Sequence, residues 1–448
     1  MADANYTVAI EIATSCLVGM VGKKNDDGTV SILATEKEDA GGCIRRGNVY
    51  NVEETGMLMK RLVKKLQNRI IDKLPGFRIE KVYVGVGGQS LHSVEHFEMK
   101  TLSIDTVVSG HDLRALDGQC HAYRPELEDV LGITAPSYYV DNKPVEQPEG
   151  LPAKRIEAHY KLIVGRPSIR NAVISCVKPA GVQLAGIFVS PLSLAEATLG
   201  LEDRKNGCVL IGFDTGVTSV AVYKNGVLAH LSVVPLGGQL LVGDLMKSLQ
   251  LKEEQNAEWL KNRFGLSLAG VRKDVPDSQE KIEIEDKTVT PKRLNAIIEG
   301  RVKEIVENVY ERMRTTGDVA SLGAGIILAG NASDLKNLPE LLRQRFNLDV
   351  RYATISKERV ERTEIKAGDR DYMTAISLLI QGKGDCLTYE APPAPVPVEA
   401  VKPVEKPRGG KERGKGKKPV DGDTGKGGLR SLFDSIRDKG VADLFKED

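Results

Sequence analysis

The sequence lacks several features that would assign it to a functional class at once. Its 63 lysine and arginine residues nearly balance 62 aspartate and glutamate residues, and the formal net charge is +1. The overall charge therefore indicates neither nucleic acid nor a strongly acidic partner. The cysteines are scattered without a CxxC pair: Cys16, Cys43, Cys120, Cys176, Cys208 and Cys386. Because no histidine has zinc-ligand spacing either, we expect reduced thiols and no metal site of cysteine and histidine.

Long apolar runs are also missing. No stretch reaches the ~20 apolar residues that span a bilayer, and the first residues show no basic segment followed by an apolar one. We therefore expect a protein that is made and kept in the cytoplasm. A chain of 448 residues predicts about three domain-sized units or one large bilobed fold.

The C-terminal part of the chain differs in composition from the rest. Residues 391–407 are rich in proline and residues 408–428 in glycine and lysine, and neither stretch has the apolar content to fold. We predict a disordered linker over 385–428 and an amphipathic helix over 429–448. Apolar side chains at helical spacing define this helix: Leu429, Leu432, Phe433 and Ile436, followed by Leu444 and Phe445.

Two interpretations of the terminal helix are open. Packing against protein is the commoner fate of such an apolar stripe, whereas the long linker favours a membrane surface. Nine lysine or arginine residues and four acidic residues lie between Lys402 and Lys426, which also favours an anionic leaflet. Burying the apolar side chains offers ~10 kcal/mol gross, most of which is offset by ordering the helix, so the predicted membrane binding is reversible.

The folded part contains a weak internal repeat about 200 residues apart. An apolar strand from Val8 leads into the turn 13–15, and a second apolar strand from Val209 leads into the turn 214–216. Backbone N–H and hydroxyl groups in such turns can bind phosphate oxygens, and two facing copies could hold a triphosphate from both sides. Each copy alone could equally be an ordinary β-hairpin, but the repetition favours the phosphate site.

These residues resemble the actin, Hsp70 and sugar-kinase superfamily and, within it, the FtsA family of bacterial cell-division proteins. The first phosphate loop of the superfamily, Asp-Ile-Gly-Thr-Ser, matches 11–15, the second matches 212–218, and the adenosine motif matches 326–333. The segment 234–238 and the helix at 257–261 also fit the family pattern. The resemblance implies these residues for binding ATP with Mg²⁺: Glu11, Ala13, Thr14, Ser15, Asp214, Thr215, Gly216, Gly237, Gly238, Glu258, Lys261, Gly330, Asn331 and Ala332.

The chain departs from the family pattern at the phosphate end. Glu11 replaces aspartate, Ala13 replaces glycine and Cys16 replaces a frequent lysine, while Gly212 stands where the second loop has its metal-side aspartate. Asp214 could compensate, since two residues along a strand preserve the face. Nucleotide binding is therefore expected, hydrolysis is left open, and the protein is at most a weak ATPase.

The resemblance implies an α/β, bilobed actin-like fold, a duplicated ribonuclease-H-like fold, with a small inserted α+β domain of the SHS2 type. Motifs at 138–141, 148–151 and 155–157 resemble this insert. The predicted division is lobe 1 over 1–81, the insert over 82–178, a return to lobe 1 over 179–206, lobe 2 over 207–384, the linker over 385–428 and the membrane helix over 429–448.

The resemblance also implies a function. It predicts an adaptor that binds ATP, polymerises with itself and tethers FtsZ filaments to the cytoplasmic face of the inner membrane at the division site. Anionic lipid and other division proteins are the further partners. The FtsZ tail is expected on a helix near 294–314, at Arg293, Arg301 and Glu304, although this face could equally be an ordinary solvated one.

Two other functions stay open at this point. A phosphotransferase of the superfamily would need a carboxylate base beside its second substrate, and the sequence identifies none. A nucleotide-independent membrane scaffold would be consistent with the changes at Glu11, Ala13 and Gly212.

Overall fold

A computed structural model describes residues 5–103, 106–268, 281–361, 365 and 369–390. These residues lie in one compact unit, Met1–Pro392. The predicted membrane helix lies outside the described residues, and with it the predicted membrane contacts Leu429, Leu432, Phe433, Ile436, Leu444 and Phe445. In the part of the chain that the structure describes, no helix is both long and apolar enough to cross a bilayer.

The chain begins with a three-stranded antiparallel unit and a long helix. In chain order the elements are β1 (Tyr6–Ile12), β2 (Cys16–Lys24), β3 (Val30–Asp39), β4 (Ile44–Arg45), β5 (Asn48–Val49), α1 (Val52–Ile71), β6 (Phe77–Ile79) and β7 (Lys81–Val86). Asn51 caps α1, because its side chain accepts a hydrogen bond from the Glu54 N–H at 3.2 Å. The helix packs closely on the sheet at Gly19, where a Cβ atom would lie 2.7 Å from Leu66 Cδ1.

An insert with its own core follows β7. It contains β8 (His92–Thr101), α2 (Gly110–Ala122), β9 (Asp129–Ile133), β10 (Ser137–Val140), β11 (Lys143–Val145) and β12 (Arg155–Gly165). β12 pairs antiparallel with β8 and β10. Leu116 and Cys120 of α2 pack with Ile156, Tyr160 and Leu162 of β12 to form this core.

The chain then returns to the first sheet and crosses to the second. The next elements are α3 (Pro167–Val177), β13 (Gln183–Val189), α4 (Ser190–Thr198), α5 (Leu201–Asn206), β14 (Cys208–Phe213), β15 (Thr218–Lys224), β16 (Val227–Val234), α6 (Gly238–Leu249) and α7 (Glu254–Phe264). The last are β17 (Ile282–Ile284), β18 (Lys287–Val289), α8 (Pro291–Arg314), β19 (Ile326–Ala329), α9 (Leu338–Phe346), β20 (Val350–Tyr352), β21 (Val360–Glu361), α10 (Met373–Gln381) and β22 (Leu387–Tyr389).

Two sheets repeat the same topology. In lobe 1 the order is β13-β7-β1-β2-β3-β21, and in lobe 2 it includes β16-β15-β14-β19-β20. The first three strands of each lobe pair antiparallel, and the next two add in parallel on the other side of the first strand. The duplicated hairpin predicted from the sequence is therefore confirmed, and it forms the centre of each lobe.

Strand pairing places some segments differently from the predicted division of the chain. The predicted insert, 82–178, includes β7, which pairs with β1, and α3, which packs on α1. The predicted lobe 2, 207–384, includes β21, which pairs with β3, and α10, which packs on β1 and α4. β22 lies inside the predicted linker and pairs with β6. These contacts join segments far apart in sequence, so local composition does not reveal them.

The insert also contacts lobe 2. β8 of the insert pairs antiparallel with β16 at one residue pair, His92 and Ser232, so the insert strands and lobe 2 strands form one ten-stranded sheet. Beside that pair, the Val233 N–H donates to Leu91 O at 3.2 Å, and the Leu231 N–H donates to Ser93 Oγ at 2.9 Å.

Candidate functional site

The two hairpin turns lie against each other between the lobes. The first turn joins β1 to β2 and the second joins β14 to β15. A Cβ atom on Gly216 would lie 2.0 Å from Thr14 Oγ1, so only a glycine permits this approach. Glu11, Ala13 and Asp214 line one cavity with Thr14 at this meeting point. The structure thus brings together residues that are about 200 positions apart in the sequence.

Asn331 connects both turns to the loop after β19. Its Oδ1 accepts hydrogen bonds from the Thr215 N–H at 2.9 Å and from Thr215 Oγ1 at 3.1 Å. Its own N–H donates to Asp214 Oδ1 at 3.1 Å, and its Nδ2 lies 3.5 Å from Ser15 Oγ. One side chain therefore holds the three predicted nucleotide segments together.

Two glycines allow the backbone to pass closely behind the second turn. Gly330 has φ of +97°, and a Cβ atom there would lie 2.4 Å from Phe213 O. A Cβ atom on Gly237 would lie 2.4 Å from Asp214 O. Larger residues at either position would displace the second turn.

A second cavity lies beside Asn331 in lobe 2. Four of the predicted residues line it, namely Gly238, Lys261, Asn331 and Ala332, together with Asn262 and Lys336. Glu258 lies one helical turn from Lys261 at 3.7 Å, and 57% of its side chain is exposed. Glu258 is thus not among the residues that line this cavity, but it pairs with Lys261, which is.

The first cavity contains two acidic side chains with raised pKa values. Burial raises the pKa of Glu11 to about 8, with a smaller contribution from Asp214, while a hydrogen bond to Thr374 lowers it. Burial also raises the pKa of Asp214 to about 6, although the hydrogen bond from the Asn331 N–H lowers it. Near neutral pH, Glu11 is therefore mostly protonated and Asp214 mostly ionised. A divalent cation nearby would stabilise the ionised form of both.

The donor set of the two turns fits a nucleotide with Mg²⁺. Within the described residues, the backbone N–H groups of Thr14, Ser15 and Gly216 donate no hydrogen bond to the protein, so these groups are available to phosphate oxygens. Thr14 Oγ1 accepts a hydrogen bond from the Gly47 N–H at 2.8 Å. Because the turns are in contact, phosphates can enter between them only when the turns move apart.

The helix predicted to receive a peptide tail is α8. Arg301 donates two hydrogen bonds to Asp244, at 2.6 and 3.1 Å, and a third to Glu304 at 2.5 Å. Arg293 donates to Ser248 O at 2.7 Å. Both arginines are thus engaged within lobe 2, and an acidic peptide would compete with Asp244 for Arg301.

Sequence reasoning missed several residues that line the first cavity. Ser190 reaches it from the start of α4 and Thr374 from α10. The hydroxyl of Ser190 is buried and has no hydrogen-bond partner in the described residues. No motif marks Ser190 or Thr374, because α4 and α10 are distant in sequence from the turns of the two hairpins.

Comparison with known proteins identifies the family. Residues 209–377 match the family model described as Cell division protein FtsA. Cell division protein FtsA of Porphyromonas gingivalis is 30% identical over 387 residues, which cover 85% of this chain and 79% of the relative. The Pseudomonas aeruginosa protein of the same name is 26% identical, covering 84% of this chain and 88% of the relative.

Solved structures agree on the fold. A type IV pilus biogenesis complex of PilM and PilN gives a TM-score of 0.57 at 13% identity, over 84% of this chain and 98% of that one. MreB5 of Spiroplasma citri gives a TM-score of 0.50 at 10% identity, over 83% of this chain and 94% of that one. The predicted α/β actin-like fold is therefore confirmed. Taken with the identity to the curated relatives, these findings show that the chain belongs to the FtsA family of cell division proteins.

Proposed function

We propose that this protein binds ATP with Mg²⁺ between its two hairpin turns and links FtsZ filaments to the cytoplasmic face of the inner membrane at the division site. In this proposal it also polymerises and recruits other division proteins. The observation that carries the nucleotide part is the pair of facing turns with unpaired N–H groups at Thr14, Ser15 and Gly216. MreB5 of Spiroplasma citri, which shares the fold, has been solved with ADP and with AMPPNP.

The cavity residues divide into two groups in this proposal. Thr14, Ser15 and Gly216 donate N–H groups to the phosphates, while Gly238, Lys261 and the residues after Gly330 surround the nucleoside in the second cavity. Mg²⁺, when bound, offsets phosphate charge and stabilises the ionised carboxylates of Glu11 and Asp214. Since Ala13 and Gly212 alter the phosphate end, we expect ATP hydrolysis to be weak at most.

A nucleotide-independent membrane scaffold is the alternative that a specific observation favours. The two turns are already in contact through Gly216 and Thr14, and Asn331 occupies the N–H and hydroxyl of Thr215. If these contacts are permanent, no phosphate chain can enter. The two functions therefore differ in one measurable property, the affinity for nucleotide.

Equilibrium binding of a fluorescent ATP analogue in the presence of Mg²⁺ tests the nucleotide proposal. Gly330→Arg should abolish binding, because no side chain fits between Gly330 and Phe213. Gly243→Ala is the matched control, since Gly243 faces open space in α6. Specific binding that is lost in Gly330→Arg protein shown to be folded, and kept in Gly243→Ala, supports the proposal. A folded wild-type protein that binds no nucleotide would contradict the proposal and favour the nucleotide-independent scaffold.

Membrane attachment is proposed for the segment after the linker. Sedimentation with vesicles that contain anionic lipid should pellet the full chain, and vesicles of neutral lipid should pellet less of it, because the linker is basic. Phe433→Glu should release the protein from anionic vesicles, since it places a charge in the apolar stripe. Pelleting that is unchanged in Phe433→Glu would contradict this part of the proposal.

The FtsZ tail is proposed to bind along α8, at Arg293, Arg301 and Glu304. Arg293 is exposed, whereas Arg301 is partly buried and pairs with Asp244 through two hydrogen bonds, so Arg293 is the more accessible of the two arginines. Arg293→Ala should weaken binding of an acidic FtsZ tail peptide more than Arg312→Ala near the far end of α8. Equal affinities would place the peptide elsewhere.

A further inference from the structure

No lysine or arginine is among the described residues that line the cavity at the first hairpin turn. Position 16, immediately after the first turn, is a buried cysteine and not a lysine. The nearby cavity carries the carboxyl groups of Glu11 and Asp214. A cation from the protein would strengthen phosphate binding beyond the backbone N–H groups, because the ionised carboxylate of Asp214 repels phosphate.

The strand register puts Lys37 on the same sheet face as Glu11. Glu11 of β1 pairs with Val18 of β2, and Val18 pairs with Lys37 of β3. Paired residues in adjacent strands project from the same face, and so do residues two apart on one strand. Cys16 therefore shares this face with Lys37, one strand away.

Contacts of the Lys37 ammonium group place it close to the first cavity. Its Nζ lies 2.9 Å from Asp371 Oδ2. Asp371 belongs to a 3₁₀ turn that leads directly into α10, and Thr374 on that helix lines the cavity with Glu11. The Lys37 side chain is 38% exposed. The Lys37 charge also lowers the pKa of Glu11 and of Cys16, although burial dominates both values.

Other nearby cations are less suitable. The guanidinium of Arg45 stacks on the Tyr50 ring at 3.7 Å, and Arg45 lines a different cavity, which shares Ile12 and Gly47 with the first. Lys65 of α1 pairs with Glu38 at 2.6 Å, and Glu38 follows Lys37 in β3 and so projects from the opposite face of the sheet. Lys37 differs from both because its partner, Asp371, lies next to the cavity.

We propose that Lys37 is the phosphate-binding cation of this protein and that Asp371 is its counterion before nucleotide binds. When a nucleotide enters, the flexible lysine side chain transfers its ammonium group from the Asp371 carboxylate to the phosphate chain. The positive charge is thus supplied by β3 and not by the start of β2. This inference rests on the proposed nucleotide binding and names one residue that determines its affinity.

Titration calorimetry of the full chain with ATP, AMP and Mg²⁺ tests the inference. Lys37→Met should weaken ATP binding about tenfold, the usual effect of losing one charge-assisted contact. Its effect on AMP should be smaller, because AMP lacks the terminal phosphates. Lys37→Arg keeps the charge and should bind ATP more tightly than Lys37→Met. Lys65→Met is the matched control, since it also breaks an ion pair on this sheet, and it should leave ATP affinity unchanged.

Asp371→Asn distinguishes a binding role of Lys37 from a structural one. Freed from its counterion, Lys37 should bind ATP at least as tightly as in the wild type, whereas a purely structural pair would make Asp371→Asn and Lys37→Met equivalent. The inference is overturned if wild type and Lys37→Met bind ATP with equal affinity. This holds even if Lys37→Met and Asp371→Asn both melt at a lower temperature than wild type. If folded wild-type protein binds no ATP, the proposed nucleotide function itself fails, which is a different result.

Discussion

The buried acid Glu11 should make the stability of the nucleotide-free protein depend on pH. Its pKa is about 8 in the folded protein and 4.5 in an ordinary carboxyl. Between these values the folded protein holds a proton that the unfolded chain releases. Raising the pH through this window therefore lowers the free energy of unfolding, and the stabilising effect is greatest below the unfolded-state pKa.

The magnitude follows from the width of the pH interval. Each pH unit within the window costs about 1.4 kcal/mol for one such group. Between about pH 6 and about pH 7.5, Glu11 should therefore account for about 2 kcal/mol of lost stability. Asp214 contributes little to this interval, because its folded pKa is about 6. Glu11→Gln carries no titrating proton and should remove this part of the decline.

Urea unfolding at the two pH values gives the loss in the free energy of unfolding for wild type and for Glu11→Gln. The difference between these two losses is the contribution of Glu11. Glu53→Gln, at an exposed position in the first turn of α1, is the control and should keep the wild-type pH dependence. If Glu11→Gln loses as much stability as wild type over this interval, Glu11 is ionised in the folded protein and the argument is refuted.

Three further predictions concern stability and use thermal or urea unfolding. Gly330→Ala should cost about 3 kcal/mol, because it combines a positive φ with a Cβ atom 2.4 Å from Phe213 O, and a loss below ~1 kcal/mol would contradict the close approach. Gly243→Ala should raise stability by about 0.5 kcal/mol, since Gly243 lies in α6 with open space around it. Arg301→Met should cost about 1 to 2 kcal/mol through its paired hydrogen bonds to Asp244. A double-mutant cycle with Asp244→Asn should recover most of that loss as coupling, and independent effects would argue against the pair.

Local patterns in the sequence were sufficient to predict the two hairpins and the loop after β19. A strand, a turn of small residues and a second strand are adjacent in sequence, so composition and spacing describe each unit completely. The duplicated topology and the meeting of Thr14 with Gly216 follow once two such units pack together. The turn residues of the cavity were thus accessible to sequence reasoning, whereas Ser190 and Thr374, which also line it, were not.

Contacts between distant segments were not predictable in the same way. Lys37 and Asp371 are 334 positions apart, and nothing in the composition near either residue indicates the other. The apolar sequence of α10 predicts a buried helix, and its place in the chain assigns that helix to lobe 2. In the structure it packs on β1 of lobe 1. Pairing of this kind depends on tertiary packing, which a one-dimensional pattern does not contain.

The pairing of β8 with β16 has a mechanical consequence. The insert is covalently part of lobe 1, but His92 and Ser232 join its sheet to lobe 2. A rotation of one lobe against the other must therefore either carry the insert along or break this small set of hydrogen bonds. Hydrogen bonds weaken steeply with distance and angle, so a small displacement of the insert from lobe 2 should already weaken the junction. Load applied to the insert is thus shared by both lobes until that junction opens.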